Sequence, residues 1–289
     1  MAGKQVTELD ALPSFTDNSL LPVHNGAGLK KGLLSQLANY LGTKFSNPNL
    51  LINPDFRINQ RGQKTYSSTG AGCTVDRWVG TNVKTDVNSD NTVTVSSLSG
   101  VGYYTQHEES ISYGKHTYSI YVQAITGTVK VFYKSKDSKD NELGTLKQGL
   151  NTFTSVDDGF KSFFLSFAGG SSVTLKYAKV EQGKVATSFV VPNPADELIK
   201  CQRYYFNRYY FYVFYSGSAS FTYIFSDTIP SMRIKPTVNF ANTSNTGLTR
   251  AFVSVDTTAK DITLLIQAVT SKEGNCNVGG TIELDAEIY

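Results

Sequence analysis

Short β-type segments recur along most of this chain, and they restrict its fold more than any other feature. Each segment is β-branched, aromatic or alternating in polarity, and each ends at Gly, Asn or Asp residues that favour turns. No strand alternates with a long helical pattern, so a doubly wound nucleotide-binding fold is not expected. We predict a β-sandwich or jelly roll instead. Its predicted strands include Thr92–Leu98, His116–Ala124, Thr128–Tyr133, Asn151–Ser155, Phe160–Phe167 and Val173–Val180.

The composition is typical of a globular β protein. The chain has 289 residues, enough for two domains with cores of their own. Hydrophobic residues make up 40% and charged residues only 18%, which suits sheets with polar, weakly charged outer faces. A net charge of +3, without any run of more than two Lys or Arg, argues against nucleic acid as a partner. The three cysteines are too far apart for a metal or disulfide pattern, so we expect buried free thiols.

A boundary between two β regions is predicted within the segment Lys176–Tyr205. Asn193 suits a helix N-cap, Pro194 suits the first helical position, and Asp196 and Glu197 suit the positive end of a helix. We therefore predict a mostly β chain of four parts. Residues 1–46 form an N-terminal strand-plus-helix anchor, residues 47–193 a jelly-roll-like β-sandwich, residues 194–204 a short linker helix, and residues 205–289 a smaller C-terminal β-sandwich tip.

An aromatic block follows this boundary, from Tyr204 to Tyr215. Alternate residues of a strand point to opposite faces, so both faces of this segment would carry large rings. We expect one face in the core. The other would meet a partner copy, a host receptor or a second sheet of the same domain, because monomers rarely expose so much apolar surface. The candidate oligomer or receptor contacts are Tyr209, Tyr210, Tyr212 and Tyr215.

The N-terminal region combines a short apolar strand with a short amphipathic helix that ends at Gly42. Leu33, Leu37 and Tyr40 are spaced along one face of the predicted helix, as in a coiled-coil seam of about two turns. A helix of this length is marginal by itself in water. We expect these three residues to contact sister copies or another protein. The alternative is that the segment caps the following domain.

No residue pattern indicates catalysis or a bound cofactor. The three histidines, His24, His107 and His116, have neither zinc-site spacing nor a nucleophile motif beside them. We expect the segment His107-Glu108-Glu109 in a charged loop. Acidic residues at 86, 90, 157 and 158 lie in turn-like sequence, where Asp serves turn geometry. We expect no enzyme activity, no cofactor and no metal. No secretory leader or membrane-length apolar run is visible, so no membrane insertion is expected.

The single tryptophan, Trp78, admits two interpretations. Sugar-binding sandwiches place an aromatic ring against the C–H face of a pyranose, and this makes Trp78 a candidate glycan platform. Alternatively, Trp78 packs in the core beside Val75 and Val79.

Three segments together resemble bacteriophage fibre and tail proteins. DNSLLPVHNGAGLKKGLLSQLANYL is similar to a lead-in in which a D-x-x-L-P-V strand precedes a Lys-Lys turn and a short helix. NLLINPDFRINQRG, followed by VDRW, resembles the start of a fibre β-sandwich similar to carbohydrate-binding modules. VEQGKVATSFVVPNPADELIKCQRYY resembles its end and the start of a distal domain. The resemblance covers about residues 1–80 and 176–240, and it does not separate head fibres from tail fibres.

The resemblance implies a homotrimeric virion protein, made in the bacterial host cytoplasm, that attaches to other virion proteins through its N-terminus. Its β domains would mediate viral attachment by binding a host-surface glycan or protein without chemistry. Two alternatives remain open: a virion decoration protein with no receptor role, and a glycan depolymerase.

Overall fold

The computed structural model describes residues 19–24, 29–42, 46–256 and 263–288. Within these ranges the chain is mostly β, as the sequence predicts, with two helices of nine residues each. Neither of these helices is long enough to cross a bilayer. Parts of the predicted anchor, including residues 1–18, lie outside the described residues.

The N-terminal segment is a hairpin followed directly by a helix. Strand β1 (Leu20–His24) pairs with β2 (Leu29–Leu33), and helix α1 (Leu34–Gly42) begins at the next residue. The apolar strand is confirmed, but the prediction that Leu33 lies on the helix is wrong. Leu33 pairs with Leu20 in the hairpin, and its backbone N–H donates to Gln36 Oε1 at 3.0 Å. This hydrogen bond caps the first turn, and the helix begins at Leu34.

The first domain is a sandwich of two antiparallel six-stranded sheets. The front sheet has the order β11-β10-β13-β8-β5-β4, and the back sheet has the order β12-β9-β14-β7-β6-β3. The strands are β3 (Thr65–Ser68), β4 (Gly72–Cys73), β5 (Val79–Thr81), β6 (Val83–Val87), β7 (Val93–Ser97), β8 (Gly102–Ser112), β9 (His116–Thr126), β10 (Val129–Lys134), β11 (Asp140–Thr145), β12 (Gly149–Thr154), β13 (Phe160–Phe167) and β14 (Ser172–Gln182).

The predicted strands between residues 92 and 180 are confirmed, with ends shifted by a few residues. The expectation of a loop at His107-Glu108-Glu109 is wrong, because these residues lie within β8. Large apolar side chains fill the space between the sheets, and burying each one contributes roughly 1.5–3 kcal/mol. The largest fully buried rings are Phe56, Trp78, Tyr104, Tyr118, Tyr133, Phe160, Phe163 and Phe167.

Helix α2 (Pro194–Gln202) joins this sandwich to a second one. Asn193 caps the helix as predicted, with its side-chain oxygen accepting from the Ala195 backbone N–H. Contacts across the junction are polar. Arg61 Nη2 lies 3.4 Å from Asp285 Oδ2, and the buried Glu197 carboxylate accepts from the Asn53 backbone N–H at 2.6 Å.

The C-terminal domain is a smaller sandwich of two three-stranded sheets, ordered β15-β20-β17 and β16-β19-β18. Strands β15 and β16 are both edge strands, and each carries several aromatic rings. The strands are β15 (Tyr205–Ser216), β16 (Thr222–Thr228), β17 (Thr237–Thr246), β18 (Leu248–Asp256), β19 (Thr263–Thr270) and β20 (Gly274–Asp285). The thiols Cys201 and Cys276 are buried and free, as expected, whereas Cys73 is half-buried.

Candidate functional site

A row of three aromatic rings crosses the outer face of the front sheet. Phe132 on β10 lies opposite Phe164 on β13, and their rings stack with centroids 5.1 Å apart and planes 7° apart. Tyr103 on β8 meets Phe164 edge-on at 6.1 Å. The row faces outward because its strand neighbours, such as Val131 and Leu165, face the core. Tyr103 is 41% exposed, Phe132 is half-buried and Phe164 is only 8% exposed, so Tyr103 and the edge of Phe132 supply the accessible apolar surface of the row.

A cavity of about 250 Å³ lies beside this row and is lined mainly by polar groups. Lys134 and Asp140 form its charged wall, with 3.2 Å between Nζ and Oδ1. Ser162 lines the cavity and is fully buried, yet its hydroxyl has no hydrogen-bond partner among the described residues. A buried unpaired hydroxyl is costly, and a ligand hydroxyl or water would satisfy it.

His107 also lines the cavity, on the strand next to Ser162. Burial lowers the pKa of His107, and the nearby charges of Lys134 and Arg77 lower it further. The imidazole is therefore neutral at pH 7, with one nitrogen that donates and one that accepts. Its backbone carbonyl accepts from Arg77 Nη2 at 2.5 Å, which fixes this part of β8.

This surface combines apolar and polar groups, as an amphipathic ligand does. Apolar rings offer area for stacking, while the hydroxyl, imidazole, ammonium and carboxylate groups beside them donate and accept hydrogen bonds. Pyranose rings carry both kinds of surface. We name Phe132, Phe164 and Tyr103, together with the adjoining cavity, the platform.

Trp78 does not belong to this surface, and the candidate glycan platform assigned to it is wrong. The residue is fully buried. Its indole N–H donates to the Asn53 carbonyl at 2.9 Å, and its ring stacks on Tyr104 at 5.1 Å. The turn before β5 aims the side chain between the sheets, since the Trp78 N–H closes a turn on Val75. The core interpretation is confirmed.

The four tyrosines of β15 divide between its two faces. Tyr209 and Tyr215 are exposed on the outer face. Tyr210 is buried in the core, and Tyr212 is half-buried with its ring stacked on Phe225 at 4.4 Å. The alternation predicted from the sequence is confirmed, but it removes Tyr210 as a contact for any partner. Phe211 and Val213 are exposed beside Tyr209 and Tyr215.

On helix α1, Leu37 and Tyr40 are exposed, together with Leu41. Leu33 is half-buried in β2 and is not part of this helical surface. Among the described side chains of α1, these three form the exposed apolar side of the helix.

The histidines and acidic residues form no reactive arrangement in the described ranges. There, no three His, Cys, Asp or Glu side chains come close enough to hold a metal ion. Asp158 accepts from the Tyr133 hydroxyl at 2.8 Å, so it supports the fold. The His116 ring packs against Phe160 at a tilt of 43°, and His116 hydrogen-bonds Ser112 at 2.8 Å.

Sequence reasoning missed the platform residues, although a signal for them exists. Phe163, Phe164 and Leu165 are consecutive in a predicted strand, so the middle one must face away from the other two. The sequence did not predict which strands are neighbours of this one. The pairing of β10 with β13 brings Phe132 beside Phe164.

Comparison with known proteins gives a partial likeness of fold. No protein-family model and no curated protein matches the chain. Among solved structures, a mutant of a family 29 carbohydrate-binding module is 16% identical, with a TM-score of 0.32 over 45% of this chain and 96% of that one.

Two further family 29 modules match similarly. One, complexed with cellulohexaose, is 14% identical, with a TM-score of 0.32 over 45% of this chain and 99% of its own. Another mutant is 17% identical, with a TM-score of 0.30 over 39% of this chain and 86% of its own. These values describe a likeness between β-sandwiches that spans less than half of the chain.

Proposed function

We propose that this chain is a non-catalytic bacteriophage fibre protein that binds a host-surface glycan through the platform. The observation that carries the glycan proposal is the aromatic row of Phe132, Phe164 and Tyr103 beside a cavity in which the Ser162 hydroxyl lacks a partner among the described residues. Rings bind the C–H face of a sugar, and polar groups at the edge of the row bind its hydroxyls. Binding of this kind requires no chemistry.

The fibre role rests on the resemblance of three sequence segments and on surfaces that a single copy leaves exposed. The outer face of β15 and the apolar side of α1 would contact sister copies in a homotrimer, and the N-terminal segment would also attach to other virion proteins. A trimer presents three platforms, so weak single-site binding becomes strong attachment at the cell surface. The protein would be made in the bacterial host cytoplasm and act on the virion.

The test is a glycan-binding assay on the full-length protein. Parent protein is screened against host-cell polysaccharides, and the strongest ligand is titrated by calorimetry. Replacing Tyr103 and Phe132 together by Ala should weaken binding at least tenfold without loss of fold. Tyr113→Ala is the matched control, because Tyr113 is an exposed tyrosine away from the platform, and it should bind as the parent does. Unchanged affinity in the double variant would refute the platform.

A virion structural protein without receptor binding is the second candidate, and the exposed aromatic face of β15 favours it. Binding of purified protein to host cells distinguishes the two candidates, because only the first predicts that such binding occurs. The depolymerase alternative predicts new reducing ends when the protein is incubated with host polysaccharide. We expect none to form.

A further inference from the structure

A second cavity lies on the opposite side of the sandwich, where residues 183–193 cross the back sheet. We name these residues the strap. Lys179 and Glu181 of β14 point outward from the back sheet, yet both side chains are buried, with 3.2 Å between Nζ and Oε2. The strap covers them, since Thr187 donates its N–H to Glu181 Oε1 at 2.8 Å and accepts from Lys179 Nζ at 2.6 Å.

The strap is held at two further points. The Phe189 ring stacks on Tyr177 of β14 with centroids 4.0 Å apart and planes 3° apart. Arg57 Nη2 donates to the Pro192 carbonyl at 2.7 Å. Charged, hydrogen-bonded and stacking contacts thus fix the strap along its length, and it forms a wall of preset shape.

A cavity of about 400 Å³ lies between this wall and the turn that joins β6 to β7. Its apolar side is the stacked pair Tyr177 and Phe189. Its polar side comes from separate parts of the chain: Asp55 and Arg57 before β3, Asp90 and Asn91 in the turn, and Lys176 on β14.

Several of these polar groups have capacity to bind a ligand. Asp90 lines the cavity, and its carboxylate accepts two hydrogen bonds from Thr92 at Oδ1 and also interacts with Gln123. Lys176 Nζ lies 5.7 Å from the Tyr121 ring centroid, and no carboxylate within the described ranges pairs with it. Asn91 is exposed at the tip of the turn, where its φ of 62° positions the amide beside the cavity.

The charges of the cavity indicate the class of ligand. Arg57 and Lys176 are balanced by Asp55 and Asp90, and the Arg57 Nε atom lies 2.6 Å from Asp55 Oδ2. A site without net charge has no general attraction for an anion or a cation. Stacked rings with carboxylate, amide and ammonium groups suit the hydroxyls and C–H face of an uncharged sugar.

We propose that the cavity bounded by Tyr177, Phe189, Asp90, Asn91 and Lys176 is a second saccharide site, selective for neutral glycans. It rests on the proposed function for its ligand class but lies on the sheet opposite the platform. One sandwich then holds two glycan segments at once, which raises avidity within a single copy.

Calorimetric titration of the full-length protein with cellohexaose, mannohexaose and tetragalacturonate tests the site. The parent should bind a neutral hexasaccharide at two sites per chain and the anionic probe more weakly. The double variant Asn91→Gly/Lys176→Met removes the amide and the ammonium, while glycine keeps the positive φ of the turn. This variant should bind normally at the platform and at least tenfold more weakly at the second site. Tyr103→Ala should leave binding at the second site unchanged.

The outcomes separate this site from the platform. One site per chain that is unchanged in Asn91→Gly/Lys176→Met but lost in Tyr103→Ala overturns the second site and leaves the platform standing. One site per chain that is lost in Asn91→Gly/Lys176→Met but unchanged in Tyr103→Ala overturns the platform alone. Tighter binding of tetragalacturonate than of the neutral probes contradicts the assigned class. Absence of binding to all three probes overturns the second site, whereas the platform is decided by the assay with host-cell polysaccharides. An unchanged thermal midpoint confirms that each variant is folded.

Discussion

Arg77 and Glu287 form a buried ion pair between the two β domains, with 2.8 Å between Arg77 Nη1 and Glu287 Oε2. Both side chains are almost completely inaccessible to solvent. The guanidinium also lies 3.5 Å from the centre of the Tyr204 ring and donates to the His107 carbonyl. One arginine thus connects β8, the start of the C-terminal domain and the last described residues.

Replacing Arg77 by Met should destabilise the full-length protein by about 3–5 kcal/mol, because the buried Glu287 carboxylate then keeps only the more distant Arg61, 3.8 Å away, as an ionic partner. Urea unfolding of the full-length chain measures the loss. The double variant Arg77→Met/Glu287→Leu should recover most of it, since the uncompensated charge is then removed as well.

The exposed pair Lys130–Glu142 is the matched control for this measurement. Its atoms are 2.9 Å apart, but both side chains are more than 40% exposed. Lys130→Met should therefore cost less than about 1 kcal/mol. Equal costs at the two positions would show that the pair between the domains does not contribute through burial.

Glu108 should make stability depend on pH. Burial raises the pKa of its carboxyl to about 7, against the lowering effect of the nearby Arg77 charge. The folded chain therefore holds a proton that the unfolded chain releases near pH 4.5. This contribution to stability is complete below about pH 4.5 and is lost as the pH rises through about 7. In the variant Glu108→Gln this side chain stays neutral at every pH, so the variant does not lose this contribution. The stability of the variant relative to the parent should therefore increase from about pH 5 to pH 8.

The neighbouring Glu109 provides the control. Hydrogen bonds and charge from Tyr204 and Arg203 lower the pKa of Glu109 despite some burial. The ionised Glu109 carboxylate therefore contributes its full stabilisation at every pH above the pKa that it has in the unfolded chain. Glu109→Gln should then change the free energy of unfolding by a nearly constant amount over the same pH range. Urea midpoints at several pH values decide both cases, and a Glu108→Gln difference that does not vary with pH contradicts the raised pKa.

Trp78 offers a spectroscopic test of the placement of the platform. It is the only tryptophan in the chain and is completely buried. Its fluorescence should be blue-shifted, resistant to acrylamide quenching, and unchanged when saccharide binds. The platform tyrosine Tyr103 should respond instead. Strong quenching of Trp78 by acrylamide would place the indole at the surface and contradict its role in the core.

Local pattern was sufficient to predict many of the strands and the linker helix, because alternation and capping depend on neighbouring residues, but it missed β8. Asn193 and Pro194 start α2 where the sequence places it. The two faces of β15 also follow from alternation alone, and Tyr209 and Tyr210 fall on opposite sides as predicted.

Strand pairing was not available from the sequence, and both candidate sites depend on it. Phe132 and Phe164 are distant in the chain and meet only because β10 pairs with β13. Likewise, nothing local shows that the strap returns over β14 and places Phe189 on Tyr177. Trp78 illustrates the opposite limit, since aromatic type alone does not distinguish a core ring from a ligand surface.

The outer face of β15 should hold copies of the protein together. Phe211 and Val213 are exposed on an edge strand that carries no charged residue from Tyr209 onward, whereas edge strands of monomers are usually protected by Lys, Pro or bulges. Gly279 lies opposite Phe211, and a Cβ there would be 2.6 Å from the ring, so the glycine lets the ring lie flat across the sheet.

Introducing a charge at this face should therefore separate the copies. The parent is expected to sediment near three times its chain mass of 31.6 kDa, and Val213→Lys near the mass of one chain. Leu150→Lys adds the same charge at an exposed apolar position of the back sheet and should leave the assembly intact. A parent that sediments as a single chain at micromolar concentration would contradict the proposed trimer, because the aromatic face would then be stable in water without a partner.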